Sequence, residues 1–315
     1  MNRIACHLVR LAAFALLLHG SSVPAAQGSS AEAPVAVIYP HVREPYRSAF
    51  LSIAGGLSET LGARAQVQEV EPTETAQDIS ARVAAREAAT VVLLGKYGLD
   101  VAQQLDPKID RVVGAVLVRP AELPVGVRGI SMLPAPRSLF AKLHELAPSA
   151  TRIAVVHGGD DNDWLIERAA ADAAALGYTF EPTRRETLRD GANAYRDLLA
   201  RLQSPQDALW LPPASPFLAE SSVLQMILRE AWDRNIVVFS STGAHVPKGA
   251  LFALVPDNAE MGRALGRLAA AAPPARAELQ LLEQLDTAIN IRTANHLGLG
   301  LDAADKRFDL VFPSR

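Results

Sequence analysis

Asp207-Ala-Leu-Trp-Leu-Pro-Pro213, a helix-patterned segment, Asn235-Ile-Val-Val-Phe-Ser-Ser241, a short loop and Gly249-Ala-Leu-Phe-Ala-Leu-Val-Pro-Asp-Asn258 follow one another in the chain. Three short apolar runs that each end at turn residues read as buried parallel strands. Between the first two, Glu220 to Arg234 places Val223, Leu224, Ile227, Leu228 and Ala231 on one helical face, with Glu220, Arg229, Glu230, Asp233 and Arg234 elsewhere. Each strand leaves small or polar groups at its carboxyl end, and in open α/β sheets that end faces the ligand crevice. One unit therefore predicts both a fold and the edge on which a site should lie.

Working outward, the amino-terminal half repeats the alternation. Strands are expected at Val35 to Tyr39, about Gln66 to Val70, Val91 to Leu94 and Val112 to Val118. Tyr46 to Leu61 carries Phe50, Ile53, Ala54, Leu57 and Leu61 at helical spacing and stops at Gly62, and Pro72-Thr73-Glu74 marks a helix running to about Ala88. Strand and helix in alternation predict a parallel sheet with helices on both faces. After Pro134 and Pro136, Arg152 to His157 restarts the order with a new first strand. A turn from Gly158 to Asp163, a helix from Trp164 to Leu176, Tyr178 to Pro182 and a helix near Asn193 to Leu202 lead into the opening stretch. Beyond it come a helix with Met261, Leu265 and Leu268, a run Ala288 to Ile291, a helix through Ala294 to Leu297 and a last strand, Phe308 to Phe312.

Ala-Leu-Trp-Leu-Pro-Pro, Val223 to Ser241, and the strand followed by Asp257-x-x-x-x-Gly262 and a helix resemble the second half of the ABC-transporter substrate-binding proteins of the branch that includes tryptophan and tyrosine binders. From Pro34 to Pro313 the order of elements is similar to that family's whole length, although the motifs are diffuse. The resemblance implies an α/β fold of two doubly wound Rossmann-like lobes, the type I periplasmic-binding-protein clamshell. It implies lobe one from residues 34–134 plus 257–284, and lobe two from 135–256 plus 285–315, with two further crossings between lobes in the C-terminal third. The implied activity is capture of a small solute, an amino acid among the candidates, by hinge closure, with delivery to an ABC permease in the inner membrane. A monomer without cofactor or metal, and without enzymatic activity, is expected. Where many members carry an Asp-Asn pair, this chain reads Pro212-Pro213-Ala214-Ser215-Pro216-Phe217, so ligand contacts differ there.

Arg3 and Arg10, the apolar run Leu11 to Leu18 and Val23-Pro24-Ala25 describe a secretory signal over residues 1–25, followed by a disordered leader over 26–33. The only cysteine, Cys6, precedes the apolar run, whereas a lipid-modified cysteine would follow it, so a periplasmic protein that is not a lipoprotein is expected. A formal net charge of -3 and dispersed Lys and Arg argue against nucleic acid as a partner. The usual dinucleotide and phosphate-loop signatures do not occur.

Candidate ligand contacts are the polar and aromatic residues after each strand. The first lobe offers His41 and Tyr46, then Gly95, Lys96 and Tyr97, then Arg119; the second offers His157 with Asp160, Asp161 and Asn162, then Ser215, then Ser240, Ser241 and Thr242, then Asp257 and Asn258. A zwitterion needs a cation or amide donors for its carboxylate and an acid for its ammonium. Asp257 is the first choice for the acid because the resembling family carries an Asp beside its cleft; it also precedes a helix, and its reading as that helix's N-cap outweighs the ligand contact. Ser240 to Thr242 reads as an anion-holding loop or an ordinary polar turn. Lys96 and Tyr97 open a helix whose amides suit a carboxylate. Asp160 to Asp163 lacks the Gly and distal Glu of an EF-hand, and reads as a solvated turn. Trp164, Trp210 and Trp232 read as packing. Two competing readings keep the same fold: an exported ligand-sensing subunit of a membrane receptor, and a periplasmic hydrolase using Ser241, His245 or the acidic turn; with Asp257 the first two supply the residue types of a triad, against which stands the missing Gly-x-Ser-x-Gly elbow.

Overall fold

Val35–Pro40 (β1) is buried at every position, as a strand covered on both faces must be. In the computed structural model, which describes residues 33–159, 162–219, 221–273 and 278–313, it lies inside a six-stranded sheet. The expected signal and all but the last residue of the leader lie outside the described residues. The other strands of this sheet are Ala65–Val70 (β2), Thr90–Leu94 (β3), Asp110–Val116 (β4), Val127–Pro134 (β5) and Leu279–Leu282 (β11). Their order is β11-β5-β4-β3-β1-β2, all parallel. Tyr46–Leu61 (α1) and Asn258–Ala270 (α8) cover one face through Ile53, Leu57, Met261 and Leu265. Ala76–Ala84 (α2) and Gly95–Ala102 (α3) cover the other through Ile79, Val83 and Leu99.

A second sheet has seven strands: Arg152–His157 (β6), Thr179–Arg184 (β7), Asp207–Leu211 (β8), Val237–Ser240 (β9), Phe252–Pro256 (β10), Leu285–Asn290 (β12) and Leu310–Phe312 (β13). The order is β13-β12-β10-β9-β8-β6-β7, with β12 antiparallel to β10 and the other pairs parallel. Pro136–Leu146 (α4) and Asp163–Ala175 (α5) pack on one face, where Phe140 meets Trp210 edge-on at 5.6 Å. Leu188–Arg201 (α6) and Ser221–Asp233 (α7) pack on the other, around Tyr195, Leu198 and Phe217. Ile291–His296 (α9) follows β12. This is the two-lobed α/β architecture of type I periplasmic binding proteins.

Both sheets belong to one compact unit that begins at Ala33, and the chain passes between them three times: from β5 to α4, from β10 to α8, and from β11 to β12. α8 leaves the second sheet to lie on α1, and there Gly56 and Gly262 let the two backbones touch. A Cβ on Gly262 would sit 2.0 Å from the Ile53 carbonyl oxygen, and one on Gly56 at the same distance from that of Ala259. Buried Arg128 on β5 donates to the Leu268 and Ala271 carbonyls at the end of α8 and pairs with Asp110 on β4. A cation at a helix C-terminus is favourable for the helix dipole, so this side chain joins sheet and helix. No helix among the described residues is long and apolar enough to cross a membrane.

Candidate functional site

Leu117, Arg119, Glu122 and Leu133 from the first sheet face Gly158, Gly159, Asn162, Pro213, Ala214 and Pro216 from the second across a cavity of about 400 Å³. Every one of these lies at or beyond the carboxyl end of a strand, or within its last turn of residues. In the second sheet the loops come from β6 and β8, which flank the point where the strand order reverses, the usual place for a ligand in open α/β sheets. In the first sheet the corresponding point lies between β1 and β3, yet the cavity uses the loops and ends of β4 and β5 instead.

Two backbone irregularities aim these walls. The β4–β5 pairing shifts register between Val113 and Val116, and Ala115 there has φ of 56°; such a bulge re-aims the residues beyond it. Across the cavity Ala214 has φ of 49°. Left-handed backbone is costly for a residue with a Cβ and persists only where its surroundings over-determine it. Here the anchor is Phe217, 1% exposed, whose ring fills the space a Cβ on Gly158 or Gly191 would enter at 2.4 Å. Only glycine at 158 leaves room for that ring beside β6. Asn162 Nδ2 donates to the Pro213 carbonyl at 3.4 Å, tying the two loops of the second wall together.

The first wall carries the charge. Arg119 donates to Glu122 Oε1 at 2.7 Å, and the Arg119 backbone N–H donates to Oε2 at 2.8 Å. Bonding to the Arg119 side chain holds the Glu122 carboxyl below the usual range, with partial burial opposing, so the pair stays ionised at neutral pH. A cavity with apolar walls, backbone groups of Gly158 and Gly159, and one cation–anion pair suits a small amphipathic solute.

Of the residues expected from sequence, Arg119 and Asn162 line this cavity. His157 and Ser215 sit immediately beside lining residues but are buried. His157 Nδ1 lies 3.6 Å from Asp163 Oδ1, and neither atom has a hydrogen-bond partner among the described residues. Burial lowers the His157 pKa, with Asp163 opposing and Arg184 reinforcing. The Ser215 hydroxyl faces that of Tyr195, which donates to the Val156 carbonyl, and Ser215 itself makes no well-formed hydrogen bond.

The remaining candidates are engaged elsewhere. His41 donates to Glu69 at 2.8 Å and Lys96 to Asp100 at 2.5 Å; the Tyr97 hydroxyl donates to the Glu74 carbonyl at 2.9 Å. Tyr46 opens α1 and is 70% exposed, and Gly95 opens α3 against the Phe50 ring. Ser240 is fully buried, 2.8 Å from His245 Nδ1, and accepts the Thr242 N–H. Ser241 accepts the Trp210 indole N–H at 3.0 Å. Asp257 accepts the Glu260 N–H at 3.0 Å and so caps α8. Asp160 and Asp161 lie outside the described residues. Ser241, His245 and Asp257 therefore form no relay: the imidazole bonds Ser240, and the carboxylate bonds a helix amide. No cluster of three or more metal-ligating side chains occurs among the described residues.

Pro213 and Pro216 stand in the segment whose departure from the resembling family marked it for altered ligand contacts, whereas the contributions of Leu117, Glu122 and Leu133 were not legible beforehand. Glu122 alone had a signal, standing three residues after Arg119 across a proline, the spacing of a reciprocal cap.

The sequence matches no family model and no curated protein. Solved structures share its fold. CD0873, a substrate-binding protein with adhesive properties from Clostridium difficile solved ligand-free and open, is 17% identical, with 90% of this chain and 100% of that one covered at a TM-score of 0.62. LpoA from Haemophilus influenzae is 13% identical at a TM-score of 0.50; 76% of this chain aligns with 50% of that one. An ABC domain from Streptococcus pneumonia in complex with L-Trp is 18% identical, with 88% of this chain and 99% of that one covered. Its TM-score is 0.48.

Proposed function

We propose, on the premise of this type I periplasmic-binding architecture, that the chain is the exported solute-binding component of an ABC-type uptake system. The observation that carries the reading is the cavity of about 400 Å³ whose walls are strand-end loops of both sheets. A solute there touches both lobes only when they are together, so binding stabilises the closed form, and a membrane permease can distinguish closed from open. Arg119 takes an anionic group of the solute and Glu122 a cationic one, while Leu117, Leu133, Pro213 and Pro216 hold its apolar part. A small zwitterion with an apolar body, such as an amino acid, fits that arrangement. The apolar Pro213 to Pro216 wall stands where the resembling family often carries Asp-Asn, so more of the polar recognition falls to the first lobe.

A thermal-shift screen against amino acids, nucleosides and small anions tests this. A cleft ligand at 100 times its dissociation constant adds about 2.7 kcal/mol of stability, and Arg119→Ala removes that shift. A screen in which nothing shifts the midpoint, or in which every shift survives Arg119→Ala and Glu122→Gln, contradicts the reading.

A further inference from the structure

Arg229, Lys248 and Arg292 converge on a second cavity, of about 640 Å³, on the edge of the seven-stranded sheet away from the interlobe cavity. The placement follows from the topology. β12 runs antiparallel to β10, with Ile289 opposite Phe252 at the start of that strand, so the end of β12 and the start of α9 lie at the amino ends of the parallel strands. The three cations come from three separate elements: α7, the turn before Gly249, and α9. None of the described residues lining the cavity is an Asp or Glu.

We propose that this cavity binds a small multivalent oxyanion, a phosphorylated or polycarboxylate metabolite, independently of the interlobe cleft. Three like charges around one concavity repel one another, and a solvated surface normally interleaves them with acids. Among the described residues Arg229 and Lys248 have no ion-pair partner, and Arg292 is committed only to an aromatic ring. Its guanidinium carbon lies 5.5 Å from the Trp232 ring centroid. Trp232 is fixed in turn by His296, stacked at 3.6 Å and 6°, whose Nε2–H donates to the Trp232 carbonyl at 2.9 Å. This chain of contacts pre-orients a planar fork that suits phosphate or carboxylate bidentately. Two of the neutral polar groups of the wall are spent on the fold: Asn290 bonds Val246 and Thr293, and Thr293 bonds Gly249, which leaves Gln225 beside the cations. Recognition therefore rests mainly on the cations, with Gln225 as the neutral amide at hand, and this selects for charge.

Titration calorimetry of the full chain with pyrophosphate and with citrate, at constant ionic strength, tests the proposal and separates the two anion classes. Saturable binding of at least one probe is expected. Arg229→Gln, Lys248→Gln and Arg292→Gln should each weaken it about tenfold, the scale of one charge-assisted hydrogen bond, while Arg119→Ala leaves it unchanged. Absence of saturable binding by both probes, or affinity indifferent to all three substitutions, overturns it. Binding lost with Arg119→Ala also overturns it, because the anion would then occupy the cleft. Circular dichroism of each variant separates lost binding from lost folding.

Discussion

Two buried histidines set how the folded chain answers acid. Burial lowers the pKa of His245, with the Lys248 charge adding to it, and burial likewise lowers that of His157. The unfolded chain, with imidazoles titrating near about 6.5, then takes up protons that the folded chain holds off. Their contribution is intact above that pH and is lost as pH falls through the lower folded values. Melting temperatures should therefore decline between about pH 7 and 5, a range above most carboxylate titration. The double variant His157→Gln, His245→Gln should show a shallower slope whatever its absolute stability, and an unchanged slope would remove these two groups from the account. At this scale the sequence was least informative. Residue type and position after a strand singled out His41, Lys96, Tyr97, Ser240, Ser241 and Asp257 alongside Arg119. What separates them is the partner each finds, a Glu69 carboxylate, an indole N–H or a helix amide, and those partners are remote in sequence or hidden by the local turn.

Among elements, the contact of α1 with α8 bears the most on the hinge, because α8 is the first piece of the first lobe after the second crossing. Gly262→Ala would gain helix propensity of about 1 kcal/mol, but places a methyl 2.0 Å from the Ile53 carbonyl oxygen. Backbone cannot yield as a side-chain tip does, and overpacking of this kind costs about 1–3 kcal/mol, so the clash outweighs the propensity and the melting temperature should drop. Gly55→Ala, one position from Gly56 but with nothing within 4 Å, should raise it. If both variants melt alike, helix apposition is not what holds α8. The elements with clean periodicity, such as α1, β6 and β8, were readable in advance. β5 was not, since Arg128 and Gly129 interrupt its apolar run; Arg128 is buried only because Asp110 and the end of α8 receive it. β11 is four residues long, and α2 begins at Ala76 behind a Thr75–Asp78 capping box rather than at the Pro72-Thr73-Glu74 signal.

For the whole molecule, the alternation of strand and helix was enough to foresee two doubly wound lobes, because each lobe needs apolar stripes on both sides of a buried sheet. Where the lobes face each other was only half foreseen. The second wall sits at the expected reversal of strand order, whereas the bulge in β4 moves the first wall to β4 and β5, and no pattern in Asp110 to Arg119 announces a left-handed Ala115. The central claim is that solute held between Arg119 and the Pro213 to Pro216 wall draws these lobes together about their three crossings. Small-angle X-ray scattering, with and without a saturating solute whose thermal shift is abolished by Arg119→Ala, measures that directly. A smaller radius of gyration in the bound form is the predicted result; a saturated protein with the dimensions of the free one would contradict it.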